Sequence, residues 1–272
     1  VNHRDDLLSI EEELREIEGV SVLIYEQTCA AEKRRRRKKG TMIDPDRRIF
    51  INEAVCEGCG DCGKKSNCLS VLPKETELGR KRQIDQSACN KDYSCVNGFC
   101  PSFVSVIGGG LKKQSVNAAS ADGFGALQEP TLPSLNTPWN LVVTGIGGTG
   151  VLTITAVLAM AAHVEGKGCA TMNQTGLAQK FGPVVSHLRV ANHQEDINAV
   201  RIPAGDADLL LGCDLVVSSS DEAIAKVNIE RSFAVINDTE MTTADFVYHR
   251  DAQFPADAMK QLIVTEVGGG SQ

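Results

Sequence analysis

Seven of the ten cysteines lie between positions 56 and 100, in two runs. The first is Cys56-x2-Cys59-x2-Cys62-x5-Cys68, and the second is Cys89-x5-Cys95-x4-Cys100-Pro101. Thiolates are ligands for soft metals and for iron–sulfur clusters. Spacings of two residues let three thiolates wrap three corners of one cubane while backbone amides point at its sulfurs. The triplet Cys56, Cys59, Cys62 has that spacing and is more specific than a lone CxxC pair.

Bacterial two-cluster iron–sulfur proteins use C-x2-C-x2-C-x3-C-P twice, and the fourth cysteine of each run ligates the other cluster. The second run here departs from that pattern. Between Cys89 and Cys95 stand Asn90, Lys91, Asp92, Tyr93 and Ser94, so the middle ligand position holds Asp92. A carboxylate binds iron, but it is a harder ligand than a thiolate. The pattern predicts one 4Fe–4S cluster on Cys56, Cys59, Cys62 and Cys100. It predicts a second on Cys68, Cys89 and Cys95 with Asp92 as a weak corner, either 4Fe–4S or a three-iron form. Zinc is the competing metal, but it usually takes four ligands per ion, and a C-x2-C-x2-C core suits it poorly. Cys29, Cys169 and Cys213 lie outside the constellation and are expected to be small buried residues.

A second candidate site is Gly145-Ile146-Gly147-Gly148-Thr149-Gly150, a G-x-G-x-x-G turn between a strand and a helix. Gly145, Gly147, Gly148 and Gly150 would bring backbone amides and a helix N-terminus to an anionic group. A dinucleotide fingerprint also needs an acid about 20 residues on, to hold the ribose. The nearest later acids, Glu195 and Asp196, come too late. A phosphate-bearing ligand, a neighbouring domain and a purely structural turn remain open. Downstream, Lys180, His187 and Arg189 are candidates to face an anion, although His187 alternates with Val185 and Leu188 as a structural strand residue would.

Composition narrows the classes. The net charge of −7 argues against general nucleic-acid binding, where a basic field is the usual footprint. The cysteine cluster in an otherwise cysteine-poor chain is no disulfide scaffold. No signal peptide opens the sequence, and no apolar run approaches a membrane span. A cytoplasmic location in a reducing compartment is expected. Both ends read as cut, with Val1 first and a Gly-Gly-Gly-Ser-Gln close.

The elements that must position these residues follow from periodicity. Leu7, Ile10, Leu14 and Ile17 share a helical face, Gly19 is a stop, and Val20 to Tyr25 reads as a strand. The seven cations Lys33 to Lys39 read as a solvated linker, a docking surface for an acidic or phosphate-bearing partner, or a localisation patch. Strands Arg48–Val55 and Phe103–Ile107 bracket the cysteines. Residues 109–138 read as a linker. From Trp139 onward strands (140–144, 168–172, 184–191, 214–218, 233–236) alternate with helices (149–165, 222–227, 255–267). This predicts an α/β domain with a mainly parallel sheet.

In combination these segments resemble a family. CEGCGDC at Cys56–Cys62 and SCVNGFCPSF at Ser94–Phe103 resemble its ferredoxin-like insert. GIGGTGV at Gly145–Val151 and GLAQKFGPVVSHLRV at Gly176–Val190 look like its γ-type domain. Tyr25 to Glu32 looks like the end of its thiamine-diphosphate domain. The family is the indolepyruvate:ferredoxin oxidoreductases, within the 2-oxoacid:ferredoxin oxidoreductases.

The resemblance implies an α/β chain with a ferredoxin-like two-cluster iron–sulfur module followed by a γ-type α/β domain. Its boundaries would be a thiamine-diphosphate domain tail over 1–45, the cluster module over 46–108, a linker over 109–138, and a truncated γ-type domain over 139–272. It implies oxidative decarboxylation of a 2-oxoacid on thiamine diphosphate and Mg²⁺. Coenzyme A would take the acyl group, and ferredoxin would be the electron acceptor. The GDG…Asn signature that holds Mg²⁺ and thiamine diphosphate does not occur here. That chemistry would therefore sit in upstream thiamine-diphosphate and pyrimidine-type domains of the same polypeptide, and this piece alone would be inactive. A homo-oligomer is expected, with no nucleic-acid partner and no membrane span. The competing function is a ferredoxin-like carrier fused to a nucleotide-binding reductase. A third is a zinc-bound scaffold.

Overall fold

The computed structural model describes residues 1–110, 130–176, 178, 181–243 and 245–268, with nothing said of the Ala31 side chain. Most of the expected linker, Lys180 and the Gly-Gly-Ser-Gln end lie outside the described residues.

The chain divides into two compact units, Val1–Asp44 and Pro45–Gln272. In the first, α1 spans Leu7–Arg15 and α2 spans Ala30–Lys38. The basic run is therefore largely helical rather than an open linker. Alanine, lysine and arginine are good helix formers. Glu32 also accepts from Arg36 one turn on, at 2.9 Å, an arrangement that supports isolated helices. Residues 20–25 form no strand. Val20, Val22 and Ile24 stand exposed, since a strand needs a ladder partner to satisfy its backbone.

The second unit begins with the cysteine-rich segment. Strands β1 (Arg47–Ile51) and β4 (Phe103–Ile107) pair antiparallel and close it at its base. Between them lie helix α3 (Asp61–Ser66) and a hairpin of β2 (Val71–Thr76) and β3 (Gly79–Ile84). Its fully buried apolar residues are few among those described: Ile49, Cys56 and Val71.

The α/β domain follows with β5 (Trp139–Ile146), α4 (Val151–Val164), β6 (Gly168–Thr175), β7 (Pro183–Ala191), β8 (Leu209–Gly212), α5 (Leu215–Ser218), α6 (Asp221–Ile224), β9 (Phe233–Ile236), α7 (Asp245–Tyr248) and α8 (Ala256–Val267). The sheet order is β6-β7-β5-β8-β9. Strands β5, β8 and β9 are parallel neighbours, while β7 runs antiparallel to both β5 and β6. The sheet is mixed: β6, β5, β8 and β9 point the same way, as a mainly parallel sheet requires, and β7 alone runs against them. The link between Thr175 and Pro183 is too short for a crossover, which takes a dozen residues or more, so β6 and β7 fold as a hairpin. The expected strand 214–218 is also displaced. The strand is Leu209–Gly212, and the Asp214 side chain then accepts from the Val217 amide at 3.0 Å, capping α5.

Two apolar clusters fill the faces of this sheet. One gathers Val142, Ile146, Val185, Ile202, Leu210, Leu215 and Ile263. The other gathers Leu141, Val143, Val151, Val184 and Leu188, with Trp139 against it. Among the described residues, no helix is long and apolar enough to cross a membrane.

Candidate metal centre and glycine turn

The two cysteine runs share one backbone shape that their sequences conceal. In the first, Gly58 and Gly60 have φ of 70° and 84°. In the second, Lys91 and Tyr93 occupy the same offsets from Cys89 and have φ of 52° and 63°. Left-handed backbone is costly for a residue with a side chain, so its recurrence at Lys91 and Tyr93 reflects the demand of the loop. At the first left-handed position of each run the amide donates to the leading sulfur. Gly58 N–H meets Cys56 Sγ at 3.4 Å, and Lys91 N–H meets Cys89 Sγ at 3.4 Å. Asp92 thus stands at the position that Cys59 holds in the first loop. Its carboxylate accepts from the Ser94 hydroxyl at 3.1 Å.

Electrostatic neighbourhoods sort the ligand candidates into two sets. Burial pushes the Cys62 thiol up to about 11, and the nearby Cys59 and Cys56 add to that shift. Burial likewise pushes Cys95 up to about 11, with Cys68, Cys89, Asp92 and, least, Cys62 adding to that shift. Cys100 is linked to the backbone of Cys56 through a short chain of hydrogen bonds. Its sulfur is 3.0 Å from Ser102 Oγ, and the Ser102 carbonyl accepts from Asn52, whose own carbonyl accepts from the Cys56 amide. None of the cysteines is in a disulfide. Cys29 is exposed, contrary to the expected burial, while Cys169 and Cys213 are partly buried.

Among the described residues, no group of three His, Cys, Asp or Glu side chains converges as one metal ion requires. A polynuclear cluster holds its thiolates at separate corners and asks for no such convergence. The donor set, the amides aimed at sulfur and the repeated loop fit that kind of group.

Sequence reasoning missed Arg82. It lies on β3, is 2% exposed, and stacks 4.4 Å over the Phe246 ring of α7. Burial lowers its pKa from the ordinary value, and Cys62, Cys56 and Cys59 act in the opposite sense. The signal was present as Arg80, Arg82 and Ile84 on one face of a period-two strand, but charged residues there read as solvent-facing.

The glycine turn is tightly built. The Ile146 amide donates to Asp214 at 2.7 Å, the Gly147 amide to the Gly182 carbonyl at 2.7 Å, and the Thr149 amide to the Ile146 carbonyl at 3.1 Å. A Cβ on Gly145 would lie 2.8 Å from Val151 Cγ2 and 2.9 Å from Cys213 Cβ, so this glycine serves close packing. Gly148 and Gly150 instead have φ of 107° and 96° with open space beside them. Of the expected anion-facing residues, His187 is fully buried. It accepts from the Ile202 amide at Nδ1 (3.2 Å), and Nε2 meets the Gln174 side-chain oxygen at 3.1 Å. Burial pushes its pKa down to about 4, with Lys226 and Arg201 adding to the effect. Arg189 donates to Asn140 and to the Ala199 carbonyl. Both residues hold the domain together.

The sequence profile of the pyruvate ferredoxin/flavodoxin oxidoreductase family matches residues 140–266, the domain just described. The chain is 29% identical over 133 residues to the indolepyruvate oxidoreductase subunit IorB of Thermococcus kodakarensis, covering 48% of this chain and 62% of that protein. It is 37% identical over 75 residues to the IorB subunit of Archaeoglobus fulgidus, covering 28% and 35%. Residues 140–266 thus resemble pyruvate ferredoxin/flavodoxin oxidoreductase domains, and the relatives the chain matches are indolepyruvate oxidoreductase subunits. The chain spans less than two thirds of the length of each of those relatives. A pyruvate oxidoreductase subunit PORC from Thermotoga maritima superposes at a TM-score of 0.31 and 17% identity, over 42% of this chain and 56% of that one. So slight a likeness bears on neither fold nor function.

Proposed function

We propose that this chain is the electron-transfer and γ-type portion of an indolepyruvate-type 2-oxoacid:ferredoxin oxidoreductase. The observation that carries the reading is one loop conformation used twice, at Cys56–Cys62 and Cys89–Cys95, in a chain that also holds the family domain. Cys56, Cys59, Cys62 and Cys100 would hold one cluster, and Cys68, Cys89, Cys95 and Asp92 the other. Such clusters, when bound, pass single electrons at potentials set by burial and by hydrogen bonds to sulfur. The chain's own part is to supply thiolates, to donate the Gly58 and Lys91 amides to sulfur, and to keep Cys56 out of water.

Decarboxylation of the 2-oxoacid with thiamine diphosphate and Mg²⁺ belongs, in this proposal, to domains outside this chain. Ferredoxin is the acceptor, coenzyme A the co-substrate, and the whole a cytoplasmic homo-oligomer. The domain boundaries of the proposal are 1–45, 46–108, 109–138 and 139–272. In the glycine turn, Gly148 and Gly150 are the positions left facing outward for a phosphate-bearing group, and Gly145 and Gly147 shape the turn behind them.

The test is anaerobic reconstitution of the full chain, with iron and sulfide counts and EPR of the reduced protein. About eight iron and eight sulfide per chain are expected, with two interacting signals. Zinc without sulfide would overturn the reading. Asp92→Cys is expected to convert a labile iron corner into a stable one. Unchanged cluster type and lability would remove Asp92 from the ligand set.

A further inference from the structure

A buried guanidinium needs an anion or a full set of hydrogen-bond acceptors. Arg82 has Nη1 on the Lys81 carbonyl at 3.2 Å and Nη2 on the Arg250 carbonyl at 3.4 Å, both neutral. Among the described residues no carboxylate pairs with it. Its neighbour Arg80, by contrast, is paired with Glu75. Arg82 Nη2 also lies against Gly60, where a Cβ would be 3.5 Å away. Gly60 sits between Cys59 and Cys62, so the unpaired cation is held against the backbone of the first ligand loop. Phe246 covers its other face at 4.4 Å, and Arg250 from the same side donates to the Cys59 carbonyl at 3.5 Å.

We propose that Arg82 is the built-in counter-ion of the cluster held by Cys56, Cys59, Cys62 and Cys100, a positioning residue that makes this cluster the easier of the two to reduce. The inference rests on the two-cluster reading above. A thiolate-ligated cluster is anionic, and each electron it accepts adds negative charge. A fixed cation in a dry site favours the reduced form more strongly than one in water would. Asp92 replaces a thiolate in the second set, so both sets carry four anionic ligands, but Arg82 acts on Cys62 while no cation is among the groups acting on Cys95. The pair is therefore asymmetric, and an electron comes to rest on the cluster beside Arg82, where the cysteine-rich segment touches the family domain through Phe246.

The experiment is a mediator titration with dithionite, followed by EPR, on the reconstituted full chain as wild type, Arg82→Gln and Arg82→Lys. Arg82→Gln is expected to make one couple roughly tenfold harder to reduce, about 59 mV for a single electron, and to move the other less than threefold. Arg82→Lys keeps the charge and is expected to hold both couples within threefold of wild type. Two unchanged couples in Arg82→Gln would overturn the proposal, as would a lysine variant that falls as far as the glutamine one. Should Arg82→Gln fail to assemble, Phe246→Leu takes its place. Loosening the guanidinium from its ring should then shift the same couple about threefold, and no shift overturns the assignment. Iron and sulfide counts separate the two levels of failure. A wild-type chain that takes up no sulfide defeats the two-cluster reading, whereas a full complement with unmoved potentials defeats only the role of Arg82.

Discussion

The cysteine-rich segment and the α/β domain lie in one compact unit but are held together by different forces. The α/β domain buries two apolar clusters on its sheet. The cysteine-rich segment contributes no residue to either cluster, and its own buried apolar set among the described residues is Ile49, Cys56 and Val71. A segment of that size with so few buried side chains falls short of the apolar burial that offsets chain entropy. Metal ligation is a recognised remedy, because the free energy of binding is then folding free energy. On the proposed reading the ligands are themselves the core of one region, while the other region needs none.

The largest effect should come from breaking that dependence. Chelation of the reconstituted chain, or Cys56→Ser, is expected to remove hydrogen-exchange protection across residues 46–108. Protection in β5, β7 and β8 should remain, and Cys56→Ser should lower the iron and sulfide counts by about half. Loss of protection in both regions together would mean that they fold as one, and the contrast would fail. The converse change is Leu210→Ala. Leu210 is fully buried in the larger apolar cluster, so its truncation should cost about 3 kcal/mol. Urea unfolding followed by fluorescence of Trp139, the single tryptophan, reads that loss directly. Iron content should stay unchanged.

The two regions were also unequally legible in the sequence. In the α/β domain, β5, β9, α4 and α8 were read to within a few residues, because their apolar periodicity is the same signal that buries them. What was not legible was the reversed direction of β7, since alternation of strand and helix says nothing about a short link that cannot cross over. In the cysteine-rich segment the candidate ligands were named from spacing alone. The hairpin of β2 and β3 was not, because Pro73 and the charged Arg80-Lys81-Arg82 run lack the usual strand pattern. Arg82 faces inward there only because its partner surface, Phe246 and the first ligand loop, comes from elsewhere in the chain. The equivalence of the two loops was hidden for a related reason. Glycine marks left-handed backbone in the first, but Lys91 and Tyr93 adopt it in the second with no compositional sign.

His187 sharpens the contrast through pH. Its folded pKa of about 4 lies below the usual 6.5. The unfolded chain therefore binds the proton first, and stability falls as pH drops from about 6.5 toward 4. Above pH 6.5 the contribution is fully present. The total is up to about 3 kcal/mol. His187→Gln removes the titrating group, so the variant's Trp139 melts should depend less on pH over that window than those of the wild type. Equal slopes would place the acid sensitivity elsewhere in the domain.

The smallest effects separate the two sides of the glycine turn. Gly145→Ala pushes a methyl group into Val151 and Cys213, neighbours packed on β5 and at the end of β8. Overpacking of this kind costs about 2 kcal/mol. Gly148→Ala meets open space, so its cost is the left-handed backbone alone, about 1 kcal/mol. In Trp139-monitored urea melts Gly145→Ala should therefore lose about twice what Gly148→Ala loses, and neither should change the iron count. The same pair bears on ligand binding. If the outward side of the turn receives a phosphate-bearing group, inorganic phosphate should raise the wild-type midpoint and should raise that of Gly148→Ala less. Gly145→Ala should keep the full increment despite its lower starting point. An increment lost equally in both would show that the turn acts through its shape, and the outward amides would then have no separate role.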